Sequence, residues 1–406
     1  LFWNTLMTTP RRLSQPEFIA LLAMLFATIA FSIDAMLPAL TQIGQELSPS
    51  EPENATLVIG IFVLGMGIGT FVAGPLSDAY GRKPIILGGF AIYTVGALWA
   101  GLASDLDQVL MGRFLQGIAV AGPRVAGQAL VRDLYSGERM ASIISFAMTI
   151  FSLVPAIAPA LGQMIMLGFG WRAIFFSFAL FALILSLWVG LRQPETHIGD
   201  ARRPVSFTLV KEGFIACFAN RVFRYALVAQ IFIFGSLFSM VATIQPIYVQ
   251  SYDIGSSFPI FFAASALIAM PANMVNARLV MRFGMRIMIK SALIGIVAST
   301  VIALALWALG LMNVWVFFAW STTLFVSIGF TLGNLNALSM EPLGHVAGMA
   351  ASISGAVSAI AAAALSMPIS LSFDGTPLPL LLGVLVFEAI ALAAMLRLGP
   401  RVLSEA

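Results

Sequence analysis

Residues 74–84 read GPLSDAYGRKP. This short stretch holds Asp78, Arg82 and Lys83, and the apolar runs beside it, 55–75 and 84–103, contain no charged residue. A helical run of about 20 residues reaches about 30 Å, the thickness of bilayer hydrocarbon. The stretch therefore reads as a tight polar turn between two membrane-spanning helices, with Gly74 and Gly81 supplying the backbone freedom the turn needs.

The same reading extends along the chain. Apolar runs of spanning length recur near 18–40, 55–75, 84–103, 108–131, 140–168, 172–192, 221–249, 258–281, 285–308, 312–337, 345–371 and 376–397. In lipid, a backbone must satisfy its own hydrogen bonds, so runs of this length are helices. A β-barrel would need alternating segments of about ten residues, and the sequence has none. Composition agrees: of 406 residues, 60% are hydrophobic and 10% charged, with a mean hydropathy of +0.98. Soluble domains carry about 25% charged residues, so this chain lacks the means to build a water-facing surface. The fold class expected is an all-α integral membrane protein with twelve transmembrane helices. The first run is long enough to stay as an anchor rather than leave as a signal peptide.

A net charge of +3 is too small to indicate a nucleic-acid partner. One cysteine excludes an intrachain disulfide and a multi-cysteine metal site, and two histidines argue against a histidine-built metal centre. Neither metal nor cofactor is expected. The placement of positive charge is more telling than its sum. With the N-terminus inside, 18 of the 21 Lys+Arg fall on the cytoplasmic side, from Arg11 and Arg12 through Arg82, Lys83, Arg132, Arg139, Arg192, Arg202 and Arg203 to Arg397 and Arg401. That asymmetry puts both termini in the cytoplasm. The longest polar interruption, 193–220, divides the chain into an N-terminal six-helix half (1–192) and a C-terminal one (221–406). A faint repeat supports the division: GPLSDAYGRKPIIL (74–87) follows the second span and ARLVMRFGMRIMIK (277–290) the eighth, aligning Gly81 with Gly284. Paired halves of this kind are one known transporter plan, with a substrate site between them near the midplane.

These residues resemble a family. GPLSDAYGRKP is similar to the loop that marks the major facilitator superfamily, in which Gly74, Asp78, Gly81, Arg82 and Lys83 act as a conformational latch. Asp133, in VRDLYSGER, is then the expected partner of Arg82, and Asp78 is expected to accept from a neighbouring helix N-terminus. LMGRFLQGIAVAG (110–122) resembles the family's second motif, an arginine followed by Gln-Gly. VPAIAPALGQ (154–163) resembles the antiporter motif of drug exporters, with Pro155, Pro159 and Gly162 bending the fifth span and Gln163 where a second glycine is common. Together with DAMLPAL, VRDLYSGE and GWRAIF, they resemble the Bcr/CflA type of drug–proton antiporter over roughly residues 20–190. The resemblance implies the major facilitator fold in the bacterial inner membrane, and export of amphipathic small molecules such as antibiotics in exchange for protons. The chain would act as a monomer surrounded by lipid.

Asp34 is the one charged residue in the 18–40 run, where an unpaired charge costs about 2.5–3.5 kcal/mol or more. Asp34 lies about 24 Å from the inner edge and Arg113, on a span running the other way, about 8 Å from the outer edge. Their depths agree within a helical turn, so an Asp34–Arg113 ion pair is expected as the proton-coupling element, loosened when Asp34 takes a proton. A structural salt bridge is the plainer reading. Arg124 either lines the cavity or reaches the cytoplasmic surface. Glu388, midway along the last span, either faces the cavity or is a protonated acid turned to a neighbouring helix. Gln245, Tyr248, Asn273, Asn334 and Asn336 are candidate substrate contacts, with helix–helix hydrogen bonding as the alternative for each. An enzyme is not expected, since no nucleophile–base pair is evident, and no phosphate-binding glycine loop points to ATP. A dedicated metabolite exporter and a proton-symport importer are the other readings kept open.

Overall fold

A computed structural model describes residues 13–198 and 207–398. Arg11, Arg12, Arg202, Arg203, Arg401 and the middle of the expected linker lie outside them. Every regular element among the described residues is helical. The helices are α1 (Gln15–Asp34), α2 (Leu40–Leu47), α3 (Leu57–Tyr80), α4 (Arg82–Gly101), α5 (Leu106–Leu134), α6 (Gly137–Phe169) and α7 (Arg172–Arg192). They continue as α8 (Phe207–Ala219), α9 (Arg221–Pro246), α10 (Phe258–Phe283), α11 (Met285–Ala308), α12 (Val314–Met340), α13 (Ala347–Leu371) and α14 (Leu378–Arg397).

Local chemistry sets several starts. The side chains of Ser14, Asp105, Asn220 and Asn313 accept from the first free N–H groups of α1, α5, α9 and α12. Eleven stretches among the described residues are long and apolar enough to cross a membrane. The 29-residue α5 has the length, but Arg113 and Arg124 lower its apolarity; with it, the twelve expected spans are present. Large apolar side chains such as Leu167 and Phe169 on α6, 75% and 84% exposed, suit contact with lipid rather than water.

Two expectations need correction. The first apolar run is not one helix from 18 to 40. It breaks after Asp34, passes through a turn at Leu37–Ala39 and resumes as α2. Pro38 explains the break, because it has no N–H to give the Asp34 carbonyl. Residues 74–84 are likewise not an open loop: α3 runs to Tyr80, α4 starts at Arg82, and Gly81 alone makes the turn, at φ 106°. Gly74 is helical and has no special conformation to supply. The aligned Gly284 makes the same one-residue turn between α10 and α11, at φ 81°, so the faint repeat marks two turns of one geometry. The 193–220 segment also contains a helix, α8.

Chain contacts group the described residues into two compact units, one up to Met36 and from Gly65 to the end of the segment after α7, the other from Leu37 to Leu64 and from Phe207 onward. In the first, α4 packs along α5 and α7, and α1 along α6 and α5. In the second, α9 packs against α12, α13 and α14, and α11 against α12 and α14. A buried cluster including Ala226, Ile233, Leu293, Leu335, Ala391 and Met395 forms its core. The turn at Leu37–Ala39 and α2 pack on α9 within this second unit.

Candidate functional site

The break in α1 brings four helices of the first unit together. A helix end leaves its last carbonyls without partners. Here Ala35 N–H donates to Phe31 O, and Met36 N–H turns back to Ile33 O at 3.3 Å. That leaves the Ser32 carbonyl, and the Arg113 guanidinium on α5 takes it at 3.1 Å. The same arginine donates to Gln116 Oε1 at 3.2 Å, and both side chains are fully buried. A positive group at the C-terminal end of a helix also complements the helix dipole. From α4, Tyr93 OH stands 2.5 Å from Ser32 Oγ. The Ser32 hydroxyl proton goes to Thr28 O, so Tyr93 is the donor. From α6, Gly162 lies so close that a Cβ there would run into the Ala35 carbonyl. Gly162 therefore permits close approach of α6 to the broken end. Pro155 and Pro159 sit inside α6, which is continuous from Gly137 to Phe169.

Asp34 is buried at this break, 6% exposed. Among the described residues no ion pair joins it to Arg113, which corrects the leading expectation. Matched depth put the two at one level, but it carried no information about the carbonyl that the break exposes. The guanidinium satisfies that carbonyl instead. Ser32 and Tyr93 were missed in the sequence, and Gln116 was seen only as part of the second motif. Gln116 lies three residues after Arg113, in helical spacing, whereas Tyr93 comes from a different helix.

A second cluster surrounds the Gly81 turn. Glycine at the start of α4 offers no side chain to cap the helix. Glu195 does so from the segment after α7, accepting from Arg82 N–H and Lys83 N–H at 3.0 Å each. Asp78, expected to accept from a neighbouring helix N-terminus, pairs with Arg82 one turn along. Arg82 Nε also meets Asp133 Oδ2 at 3.0 Å. Thr196 donates to the same Asp133 oxygen at 2.8 Å, and Lys83 Nζ to the Gly190 carbonyl near the end of α7 at 2.7 Å. The turn, the end of α5 and the end of α7 are thus tied into one charged knot.

The family model described as the Major Facilitator Superfamily matches residues 20–366. The chain belongs to this superfamily. It is 32% identical over 280 residues, 68% of this chain and 69% of the relative, to a protein of Haemophilus influenzae named bicyclomycin resistance protein homolog. It is 31% identical over 189 residues, 45% of this chain and 48% of the relative, to multidrug resistance protein MdtL of Escherichia coli. Among solved structures, the D-xylose-proton symporter superposes with a TM-score of 0.73 over 94% of this chain and 97% of that one, at 13% identity; this likeness concerns the fold alone. As a superfamily member, the chain is a multi-pass membrane transporter, not an enzyme.

The remaining candidates of this facilitator lie mostly in the second unit, and several hold helices together. Asn334 donates to Asn276 Oδ1 at 2.8 Å, and Asn336 accepts from Gln230 at 3.2 Å. Gln245 accepts from Thr41 at 3.0 Å. Tyr248 lies in a wide helical turn, fully buried among Tyr252, Phe258, Phe261 and Phe317. Asn273 is exposed on α10, Arg124 half-buried on α5, and Glu388 buried on α14. A cavity of about 250 Å³, lined by Thr41, Gln45, Glu53, Thr56 and Gln250, falls below the roughly 300–1,000 Å³ of drug-sized sites.

Proposed function

We propose that this chain exports amphipathic small molecules, antibiotics among them, across the bacterial inner membrane in exchange for protons. The observation that carries this reading is the buried carboxyl of Asp34 at a helix break whose free carbonyl is held by buried Arg113. The names of the relatives, bicyclomycin resistance and multidrug resistance, support the substrate class. The charge asymmetry of the sequence supports cytoplasmic termini, and the 193–220 linker supports two six-helix halves that alternate access.

In this mechanism, the arrangement around Ser32 is the form with a proton on Asp34. When the proton leaves, the new carboxylate draws Arg113 away from the Ser32 carbonyl two residues earlier. The end of α1 is then released from α5, and its close contact with α6 at Gly162 carries the change onward. A proton moving inward supplies about 2.3 kcal/mol per 100 mV of membrane potential. The knot around the Gly81 turn acts as the latch, with Asp78, Arg82, Lys83 and Asp133 as its charged members and Glu195 as its cap.

The test is Asp34→Asn, assayed as pH-driven efflux from everted vesicles against a panel of chemically diverse antibiotics. Export should vanish while the protein remains in the membrane at wild-type abundance. Proton-driven export at the wild-type rate would overturn the assignment.

A further inference from the structure

The second unit contains a buried acid that the mechanism above leaves idle. Glu388 on α14 is 1% exposed, and neither carboxyl oxygen has a hydrogen-bond partner among the described residues. The Ser236 hydroxyl on α9 stands alongside it, fully buried and also unpartnered. The buried carboxamides of this unit that hold helices together behave differently. Gln230 joins α9 to α12 and α13 through Asn336 and Ser354, and Asn334 joins α12 to α10 through Asn276. Each links helices. Glu388 bonds no carboxamide and no backbone group among the described residues, and its polar neighbour is the Ser236 hydroxyl.

Among the described residues, the helices of this unit that pack on α14 place no cation at the level of Glu388. α14 packs against α9, α11 and α13. On α9 the charged residues are Arg221 and Arg224 in the first turn, followed by Tyr225. Arg224 lies 12 residues before Ser236, about 18 Å along the helix. On α11 they are Arg286 and Lys290, and α13 has none. Ile289 and Leu293 share a buried cluster with Ala391 and Met395, which puts Arg286 and Lys290 toward the Arg397 end of α14. Arg397 itself is nine residues from Glu388, about 14 Å away along the helix. A bare carboxylate in such a place has nothing to offset its desolvation.

We propose that Glu388 and Ser236 form a second proton-binding site, housed in the second unit. The step is simple: an incoming hydrogen ion forms an O–H bond on a carboxyl oxygen, and the same bond breaks on release. A hydroxyl is a suitable companion for both forms, accepting from the protonated acid and donating to the carboxylate. Gly235 beside it leaves the Phe387 ring room against α9, and the apolar packing keeps solvent cations out. The significance of this site for export rests on the proton-coupled reading, but its existence is measured without any transported substrate.

The experiment is infrared difference spectroscopy of the full chain in lipid, between mildly acidic and alkaline pH. The wild type should lose a protonated-carboxyl carbonyl band on alkalisation. E388Q should lack that component, and S236A, which keeps the acid, should show it shifted in frequency. An E388Q difference spectrum that overlays the wild type overturns the proposal, as does an S236A band at the wild-type position. Asp34→Asn, run beside them, separates the two readings. If it exports normally while E388Q loses its band, the Asp34 mechanism fails and this site stands.

Discussion

Two buried acids, one in each unit, meet the same problem in opposite ways. Asp34 ends a broken helix beside a hydrogen-bonded group. Tyr93 reaches Ser32, Arg113 joins the Ser32 carbonyl to Gln116 Oε1, Gln116 Nε2 stays without a partner among the described residues, and Gly162 brings a fourth helix against the break. Glu388 interrupts an unbroken helix, with one hydroxyl for company. In the proposed mechanism the first arrangement couples a charge to backbone geometry, because moving Arg113 frees the Ser32 carbonyl it holds. The second couples a charge to almost nothing around it. The contrast teaches that burial alone does not make an acid mechanical; it must share a partner with a backbone that can change.

That contrast is open to direct attack. Arg113→Ala should have the largest effect. It strands the Ser32 carbonyl and the Gln116 side chain in a dry interior at about 1–3 kcal/mol each, so thermal unfolding in detergent should drop by about 2–5 kcal/mol and export should be lost. A variant of wild-type stability would mean that the guanidinium does not hold the break. Gly162→Ala comes next, forcing α6 off the Ala35 carbonyl at a cost of about 1–3 kcal/mol, as overpacking does. Gly355→Ala on α13, where an added Cβ meets nothing within 4 Å, is the control and should be neutral or slightly stabilising. If both behave alike, close approach at the break is not what Gly162 provides.

Tyr93→Phe removes one hydrogen bond to Ser32 and should cost about 0.5–1.5 kcal/mol, read as a lower unfolding midpoint with export reduced rather than abolished. The smallest effect belongs to the second unit. Glu388→Gln keeps shape and neutrality, so its stability should stay within about 1 kcal/mol of wild type, measured in the same thermal assay. A large loss there would mean that Glu388 is woven into its surroundings as tightly as Asp34.

Much of this was legible in the residues. The twelve apolar runs and the glycine turn with its charged neighbours followed from composition and spacing. The Arg82–Asp133 contact was read from the turn's resemblance to the family's loop. The failures share one cause. Depth along a helix can be counted, but the direction a side chain takes and the carbonyls a break exposes cannot. Thus Asp34 and Arg113 were placed at one level and paired directly, whereas the break leaves an acceptor at Ser32, because Met36 N–H turns back to Ile33 O. Asp78 was expected to accept from a neighbouring helix N-terminus; at the start of α4 that role falls to Glu195, 113 residues from the Arg82 N–H it accepts, while Asp78 pairs with Arg82. For Asn334 and Asn336 both readings, substrate contact and helix–helix bonding, were left open, and the structure shows each bonded to a neighbouring helix.

The sequence by itself determined that this chain lives in a membrane as twelve helices, because hydrocarbon admits few other backbones and charge was kept out of every long run but a few. Only the tertiary structure decided which buried polar groups meet, and which partner Arg113 takes. That choice depends on helix breaks and on close approaches such as Gly162 to Ala35, where hydrogen bonds left open by one element are closed by another far away in the chain.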